Sequence, residues 1–502
     1  MLGGVALAGL VLLAAYGIPV GRPAFELPGL LPRPFGLPPG FPNGYLHPGS
    51  TSYPSPGGAP PGPAPSAGAS PLLVGPQIAS TAPDFFGVVA QTATPTAIAT
   101  DPAIGAYLTQ TPFRWYSYTV DTDNCNMSSN LFYSDNGRVS SPCPFDIPAF
   151  VTWCTAQVPT CHSILKLPGE NNNSAEDAYL AGWIVHDLHF QPSYFTIGNE
   201  PMLWSHYGLP WTAWRSTDHA HPDPLAYAID LRNAIYAVRA VDPVARFIGI
   251  ESDCACSAKD WMATTARVDG SLISAVGYHT YPSTALRTNE TLAQFFDPLP
   301  SPTNITASYQ LVRAAIAGQC PTCPTLPIFV TEYNSGPGRG ATQWAGTYAD
   351  AEFLAASTAQ ALRENVSLFV TYNLQSGGVG NSSTIGWGLL RHNDSVGPEG
   401  LLYAELLSHL ALGDVNATTI PTAVTNVWSV ATSNATTRSL LVVNANLTQP
   451  LAVNLTGAVG PGNLSGAQMY SWQWSDPAPL VGPASTTVEL PPLGMVLIDL
   501  PE

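Results

Sequence analysis

Residues 194–201 read Tyr-Phe-Thr-Ile-Gly-Asn-Glu-Pro, and residues 328–335 read Ile-Phe-Val-Thr-Glu-Tyr-Asn-Ser. Each stretch is a short apolar run that is followed at once by a glutamate, Glu200 in the first and Glu332 in the second. Short apolar runs of this kind are typical of strands that are buried on both faces of a parallel sheet. Both stretches are therefore predicted to be buried strands with a carboxyl group at their carboxyl end.

Further apolar runs occur between residues 82 and 413, and amphipathic helical stretches separate them. The predicted strands are Phe85–Ala90, Phe113–Thr119, Ser163–Leu167, Tyr194–Ile197, Arg246–Ile250, Ala275–Tyr278, Ile328–Thr331 and Leu368–Tyr372. The clearest helices are Ala175–Leu188, Pro224–Ala240, Ala307–Ala317 and Ala345–Arg363. Alternating strands and helices predict an α/β fold, and eight strands predict a closed (β/α)₈ TIM barrel rather than an open doubly wound sheet.

The pattern changes in residues 414–502, after a predicted helix around Leu401–Leu412. Short, turn-bounded apolar runs follow one another there, with no helical stretch between them. They are Val427–Val430, Ser439–Val443, Leu451–Leu455, Gln468–Trp472, Thr487–Leu490 and Met495–Leu500. This pattern predicts a small C-terminal β-sandwich. We expect it to seal the barrel, with carbohydrate binding as the alternative role.

The first 81 residues differ from the rest of the chain. Residues 2–20 form an apolar, uncharged run. The run has about the length needed to cross a bilayer. We expect residues 1–22 to act as a membrane anchor or a signal peptide. Residues 23–81 are rich in Pro, Gly and Ser, and such a composition predicts a disordered spacer between a membrane or wall and the barrel.

The composition narrows the class of function and the compartment. Only 10% of the residues are charged and the net charge is −17, a balance that repels phosphate backbones and excludes a nucleic-acid partner. No Gly-rich phosphate loop follows the first strand, which argues against nucleotide binding. Eight cysteines and twelve Asn-x-Ser/Thr sequons favour an extracellular or cell-surface location.

Glu200 and Glu332 follow the fourth and seventh predicted strands. In a barrel, the residues just past the carboxyl ends of the strands face the active site, and strands four and seven lie nearly opposite each other. Two carboxyl groups about 5–5.5 Å apart can hydrolyse a glycoside with retention of configuration, one as nucleophile and the other as acid/base. In a chain this poor in acids, the pair predicts a glycosidase.

The motif Asn199-Glu200-Pro201 after a strand, with a second glutamate ending a later strand, resembles clan A of the glycoside hydrolases. The resemblance implies that Glu200 is the acid/base and Glu332 the nucleophile. Asn-Glu-Pro-Met-Leu-Trp204, Val241–Arg246 and Thr331–Asn334 are similar to family 44 endoglucanases and xyloglucanases. Gly198 departs from that family, which has an acidic residue there. The one-barrel layout also resembles families 79 and 39.

Four residues are predicted to support the pair. Asn199 is expected to hydrogen-bond the sugar 2-hydroxyl. Arg114, within the second predicted strand, is expected to point inward and keep the nucleophile ionised. His279 and Tyr281 end the sixth strand, where clan members place residues that orient the nucleophile. For His279 a purely structural role is an equal alternative.

A second set of residues is expected to contact substrate. Trp204, His206, Trp211, Trp214 and Trp387 lie in loops after strands four and eight, where aromatic rings stack on sugar faces. Glu170 and Glu251, at the ends of strands three and five, are the reserve carboxylates, which either bind substrate or replace one of the assigned pair.

The cysteines are better explained by disulfides than by a metal. The barrel places Cys254 and Cys256 on the catalytic face and Cys320 and Cys323 on the opposite face, so one four-cysteine zinc site is not expected. Cys320 and Cys323 are predicted to form a local disulfide, and the other connectivities stay open. No metal and no cofactor are expected.

The sequence therefore predicts a surface-anchored, retaining glycosidase acting on a β-linked polysaccharide, with an endo-β-1,4-glucanase as the leading case. An exo-acting β-glycosidase or β-glucuronidase of the same clan is the alternative enzyme. The alternative outside catalysis is a silent carbohydrate-binding protein of the cell surface.

Overall fold

A computed structural model describes part of the chain. The described residues are 68–90, 107–108, 111–119, 125–126, 131–133, 139–140, 147–156, 161–169, 173–203, 223–282, 291–300, 304–321, 326–335, 344, 346–372, 374, 388–390, 398–459, 464–473 and 479–501. The predicted anchor, residues 1–22, lies outside them. No helix in the described part of the chain is long and apolar enough to span a bilayer.

The strands are numbered in chain order. They are β1 (Ser70–Pro71), β2 (Leu73–Ser80), β3 (Phe86–Val89), β4 (Trp115–Thr119), β5 (Cys125–Asn126), β6 (Leu131–Tyr133), β7 (Val139–Ser140), β8 (His162–Leu167), β9 (Tyr194–Ile197), β10 (Ile248–Ser252), β11 (Ala275–Thr280), β12 (Ile328–Tyr333), β13 (Leu368–Thr371), β14 (Asp414–Thr419), β15 (Val427–Ser433), β16 (Thr437–Asn444), β17 (Leu451–Asn454), β18 (Gln468–Trp472), β19 (Leu480–Pro483), β20 (Thr487–Leu490) and β21 (Gly494–Pro501).

The α-helices are numbered in the same way. They are α1 (Ile147–Ala156), α2 (Ser174–Gly182), α3 (Pro224–Val241), α4 (Ala263–Asp269), α5 (Leu292–Phe296), α6 (Ile305–Gln319), α7 (Tyr348–Arg363), α8 (Pro398–Ser408) and α9 (Thr456–Val459). Side chains cap several of them: Asp223, for example, accepts a hydrogen bond from the N–H of Leu225 at the start of α3, and Asn304 does the same for Ala307 in α6.

Eight parallel strands form the predicted barrel sheet, in the order β10-β11-β12-β13-β3-β4-β8-β9. The two ends of this order meet, because the N–H of Phe195 in β9 donates to the carbonyl of Arg246, 2.8 Å away, just before β10. The eight strands predicted from the sequence are thus confirmed, and β9 and β12 are the fourth and seventh. Their carboxyl ends share one face of the barrel.

The C-terminal domain is a sandwich of two sheets. A seven-stranded sheet has the order β19-β18-β21-β16-β15-β14-β2, and a three-stranded sheet has the order β1-β17-β20. Strand β16 contains the uninterrupted apolar run 440–443 because both of its faces are buried. Leu440 and Val442 pack into the core between the two sheets, whereas Leu441 and Val443 pack into the core shared with the barrel. The large sheet is therefore buried on both faces at β16.

The structure corrects the end of the predicted spacer. Residues 70–71 and 73–80 were assigned to the spacer, but they form β1 and β2 and complete the two sheets of the sandwich. Strand β2 contains Pro76, which cannot donate a backbone hydrogen bond, and β2 is accordingly the edge strand of its sheet. The sandwich also contains one short helix, α9, which the pattern did not predict.

Candidate active site

Glu200 follows β9 in a constrained backbone conformation. Gly198 has φ 71° and Glu200 has φ 46°, a region that residues with a side chain adopt only at a cost of about 1–3 kcal/mol. Two backbone hydrogen bonds hold this turn. The N–H of Gly198 donates to the carbonyl of Leu167 at 2.7 Å, and the N–H of Glu200 donates to the carbonyl of Glu251 at 3.0 Å. Neighbouring strands thus fix the direction in which the Glu200 side chain leaves the barrel rim.

Glu332 lies within β12 and is almost fully buried. Its Oε1 accepts a hydrogen bond from Lys166 Nζ at 2.8 Å, and its Oε2 accepts one from the hydroxyl of Tyr281 at 2.7 Å. Each carboxylate oxygen therefore has a donor: Lys166 reaches Oε1 across the barrel from β8, and Tyr281 reaches Oε2 from the end of the adjacent strand β11. The predicted contact between Tyr281 and Glu332 is present.

Lys166, on β8, is a buried cation of the site that was not predicted from the sequence. Its side chain is 1% exposed, and three oxygen atoms surround its ammonium group. They are Glu251 Oε2 at 2.6 Å, Glu332 Oε1 at 2.8 Å and Asn199 Oδ1 at 2.7 Å. The chain has two lysines, and Lys166 interrupts the apolar strand Ile-Leu-Lys-Leu. That interruption was the available signal, since a lone buried lysine requires acidic partners.

His279, on β11, lies between Glu200 and Glu332. Its Nδ1 is 2.7 Å from Glu200 Oε1 and 3.4 Å from Glu332 Oε2, and its Nε2 is 3.8 Å from Glu251 Oε2. The imidazole is fully buried. One carboxylate oxygen each of Glu200 and Glu332 and a ring nitrogen of His279 all lie within 4.8 Å of one another. The predicted position of His279 beside Glu332 is thus present, and the ring also contacts Glu200.

The neighbouring charges shift the pKa values of Glu332 and His279 in opposite directions. Burial alone would raise the pKa of Glu332, but the charges of His279 and Lys166 and the bonds from Lys166 and Tyr281 outweigh it and lower that pKa. Burial alone would lower the pKa of His279, but Glu332, Glu200 and Glu251 raise it to about 10. At neutral pH the site therefore holds an ionised Glu332 and a cationic His279.

Arg114 does not supply the inward cation that was predicted. It precedes β4, which begins at Trp115, and its Nη1 donates to the carbonyls of Thr111 and Phe113 at 2.8 and 2.9 Å. Residues before a parallel strand lie at the amino end of the barrel, opposite the catalytic face. The prediction was wrong because it placed the start of the strand two residues too early, and Lys166 on β8 holds the predicted position instead.

The other predicted residues divide into two groups. Asn199 lies in the site with its Oδ1 bonded to Lys166. Glu251 is on β10 and is 0% exposed, so it is an interior partner of Lys166 rather than a substrate contact or a substitute for the pair. The remainder lie outside the described residues: Glu170, Trp204, His206, Trp211, Trp214 and Trp387.

The rim next to the site has two further features. Tyr372, after β13, packs its ring edge-to-face against Tyr281 with centroids 6.0 Å apart. Asp253, after β10, accepts a hydrogen bond from the Ser257 hydroxyl at 2.9 Å, and burial raises its pKa despite that bond. Neither residue was predicted from the sequence, because neither belongs to a recognisable motif.

Among the described residues, two groups of side chains have the spacing that a metal ion requires. They are Asp253, Cys254 and Cys256, and the trio Glu200, His279 and Glu332. The two sulfur atoms of the first group are joined in a disulfide, and the second group is held together by its own hydrogen bonds. The absence of a metal and of a cofactor stays a prediction.

Disulfides, rather than a zinc site, account for the described cysteine side chains. Cys154 is bonded to Cys161, and Cys254 is bonded to Cys256. Cys320 is also disulfide-bonded, and its predicted partner Cys323 lies outside the described residues. The Cys254–Cys256 bridge closes the loop that follows β10 on the catalytic face.

No family model matches the sequence, and no curated protein matches it. Solved structures do. A family 51 α-L-arabinofuranosidase from Bifidobacterium longum has a TM-score of 0.60 at 16% identity, covering 86% of this chain and 100% of its own. A family 44 xyloglucanase from Paenibacillus polymyxa has a TM-score of 0.57 at 13% identity, with 86% and 100% covered.

A 4-O-α-L-rhamnosyl-β-D-glucuronidase from Fusarium oxysporum has a TM-score of 0.60 at 12% identity, with 86% of this chain and 99% of that chain covered. This chain shares its fold with these three glycosidases. This confirms the fold that the sequence resemblance implied: an eight-stranded barrel followed by a sheet domain. At these identities the likeness concerns the fold alone.

Proposed function

We propose that the protein is a retaining glycoside hydrolase, with Glu332 as nucleophile and Glu200 as acid/base. The observation that supports this most strongly is the closeness of the two carboxyl groups, which approach His279 and each other within 4.8 Å. Retaining glycosidases hold the pair about 5–5.5 Å apart, whereas inverting enzymes need about 6.5–9.5 Å to admit a water molecule.

In the first step a carboxylate oxygen of Glu332 attacks the anomeric carbon. The bond from that carbon to the leaving oxygen breaks, and Glu200 gives its proton to that oxygen. Glu200 Oε1 already contacts His279 Nδ1, so the acid proton belongs on Oε2. The products are a glycosyl ester on Glu332 and a free leaving group.

In the second step Glu200, now a carboxylate, takes a proton from water. The water oxygen attacks the anomeric carbon, and the ester bond to Glu332 breaks. Lys166 and Tyr281 stabilise the departing carboxylate through the same two contacts that keep the resting nucleophile ionised. Two inversions return the original anomeric configuration.

For the substrate we propose a β-linked polysaccharide, cleaved internally as by an endo-β-1,4-glucanase. The basis is the resemblance of residues 199–204 to family 44, whose member from Paenibacillus polymyxa is a xyloglucanase solved with xyloglucan. The second candidate is an exo-acting β-glucuronidase, which the likeness to the Fusarium oxysporum enzyme favours. The endo-acting candidate ranks first because a glucuronidase needs cations to hold the sugar carboxylate, and the chain has 17 Lys and Arg in total.

The test is hydrolysis of a substrate panel by the protein without residues 1–67, at acid and neutral pH. The panel contains β-glucans, xyloglucan, xylan, aryl β-glycosides and an aryl β-glucuronide, and Glu200→Gln and Glu332→Gln are the controls. We expect a fall in the chain length of at least one polysaccharide and strong losses in both variants. A wild type that cuts nothing, or a variant with full activity, would contradict the proposal.

We also propose that the protein acts outside the cell, tethered or exported through residues 2–20. The apolar run and the sequons support this proposal. Asn304 is an exception among the sequons, because its side chain is buried and its Nδ2 donates to the carbonyl of Leu299 at 2.8 Å. Cell fractionation followed by glycosidase treatment tests the proposal, and a full-length, unglycosylated cytosolic protein would contradict it.

A further inference from the structure

Glu251 is fully buried and connects both halves of the proposed catalytic pair. Its carboxylate is 2.6 Å from Lys166 Nζ and 3.8 Å from His279 Nε2, and its backbone carbonyl accepts the N–H of Glu200. Lys166 in turn donates to Glu332, and His279 contacts Glu200. Each proposed catalytic glutamate therefore contacts a side chain, Lys166 or His279, that Glu251 also contacts.

The described charges in the interior of this end of the barrel can be counted in both states of the enzyme. At rest, two cations (Lys166 and His279) face two anions (Glu251 and Glu332), while Glu200 carries its proton. In the glycosyl-enzyme, Glu332 is an uncharged ester and Glu200 has given up its proton, so the anions are Glu251 and Glu200. The sum is zero in both states, and Glu251 is the anion common to them.

We propose that Glu251 is the fixed counter-anion of the site, which keeps the buried cluster electrically neutral before and after glycosyl transfer. This inference rests on the proposed two-step hydrolysis. A net charge in a buried cluster is costly, so neutrality in both states lowers the cost of moving the Glu200 proton and of forming the ester. Glu251 acts through Lys166 and His279 and is a positioning residue.

The charged neighbours of Glu251 and its burial favour a counter-anion role over a role in substrate binding. Lys166 from β8 and His279 from β11 face its carboxylate directly, and Glu200, Glu332 and Tyr281 lie one contact further. Asp253, two residues along the chain, is partly exposed at the rim, where solvent screens its charge. A role in substrate binding would require exposure, and Glu251 has none.

The proposal predicts shifts of opposite sign in two variants. Glu251→Gln leaves the cluster with one excess positive charge, so both carboxyl groups ionise more readily. Both limbs of the bell-shaped profile of kcat/KM then move to lower pH, by about 1–3 units. Lys166→Met leaves one excess negative charge and moves both limbs to higher pH. The double variant is neutral again, so its limbs return towards the wild-type positions although its rate stays low.

The experiment measures the pH profiles of the wild type, both single variants and the double variant on one soluble aryl glycoside. Glu352→Gln, a fully buried carboxyl on α7, is the matched control and leaves both limbs in place. Opposite shifts that cancel in the double variant support the proposal. Folded single variants whose limbs stay within about 0.3 units of the wild type overturn it, and so does a double variant shifted as far as Glu251→Gln.

A second readout separates this proposal from the hydrolase itself. NMR of ¹⁵N-labelled histidine follows the His279 titration, whose pKa is raised to about 10 in the wild type. Glu251→Gln lowers that value, and Glu352→Gln does not. If the value falls in a protein that hydrolyses nothing, the charge balance holds and the proposed function fails. If it does not move in an active enzyme, the counter-anion proposal fails alone. Should Lys166→Met not fold, these measurements on Glu251→Gln decide.

Discussion

Two regions of this molecule bury carboxyl groups, and they treat the charge in opposite ways. At the carboxyl end of the barrel, Glu251 and Glu332 contact Lys166 and His279, and these two cations lower the pKa of Glu332. On the helices α7 and α8, Asp350, Glu352 and Glu399 are also 0% exposed, but no cation pairs with them among the described residues.

In the second region, burial raises the pKa of every one of these three acids. Burial raises the pKa of Asp350 to about 6 despite bonds from Ser335 and Gly346, and it raises the pKa of Glu352 well above its ordinary value. Burial, together with the neighbouring Asp350, also raises the pKa of Glu399. The contrast shows that burial does not by itself decide ionisation. A partner of opposite charge also decides ionisation. Of these two regions, only the carboxyl end of the barrel has such a partner in the described part of the chain.

The largest effect is expected for Glu332→Gln. Glutamine keeps the shape of the side chain but cannot form the glycosyl ester, so kcat should fall by about 10⁴- to 10⁶-fold. Steady-state kinetics on the best substrate of the panel measures the loss, and circular dichroism checks the fold. A folded variant within tenfold of the wild type would exclude Glu332 as nucleophile.

Glu200→Gln should cost less, and its cost should depend on the leaving group. General acid catalysis contributes about 10²- to 10⁴-fold, and that loss is expected on a polysaccharide. Aryl glycosides with an acidic phenol need little protonation of the leaving oxygen, so the first step on them should be nearly normal. Pre-steady-state release of the phenol measures that step. Equal losses on both substrates would argue against an acid role for Glu200.

Tyr281→Phe removes one hydrogen bond to the ionised Glu332. A bond to a charged group contributes about 1.5–3 kcal/mol, which corresponds to a loss of about 10- to 150-fold in kcat/KM. The acid limb of the pH profile should also move to higher pH, because the anion loses a donor. Arg114→Met is the contrasting variant: its limbs should match the wild type. A shift in Arg114→Met with none in Tyr281→Phe would reverse the assignment.

The smallest effect concerns stability. A carboxyl whose pKa is raised by folding supports the fold fully below its ordinary pKa, and that contribution is lost as pH rises through the folded value. For Asp350 the loss extends from about pH 4 to about pH 6, and for Glu352 and Glu399 it continues to higher pH. The wild type should therefore unfold at a lower temperature at pH 8 than at pH 4.5.

Glu352→Gln sharpens this last prediction. The variant has no proton to lose at position 352, so its free energy of unfolding relative to the wild type should improve by about 1–3 kcal/mol between pH 4 and pH 8. Urea unfolding at the two pH values measures the change. If the free-energy difference between the variant and the wild type is the same at both pH values, folding does not raise the pKa of Glu352.

The sequence was sufficient where the signal is local. Each barrel strand is an apolar run between turns, so all eight could be located, and Glu200, Glu332, His279 and Tyr281 could be placed because strand ends share one face. Lys166 could not be assigned a partner, because its three oxygen neighbours lie 33, 85 and 166 positions along the chain.

The two errors have physical causes as well. Arg114 was misplaced because its apolar neighbour Phe113 reads as strand, although β4 begins at Trp115. Strand β2 was missed because its Pro and Gly residues match a spacer composition. It forms only because β14, more than three hundred residues away, provides an edge to pair with. Pairing between distant segments is the information that local composition does not contain.

The most direct measurement is the identity of the residue that becomes glycosylated. The protein is incubated briefly with activated 2-deoxy-2-fluoro glycosides of the sugars that the panel identifies, and the trapped enzyme is digested and mapped by mass spectrometry. We predict one added glycosyl unit on the peptide that contains Glu332, and none in Glu332→Gln. A label on Glu200 or Glu251, or continued turnover with inverted product and no label, would contradict the two-step mechanism.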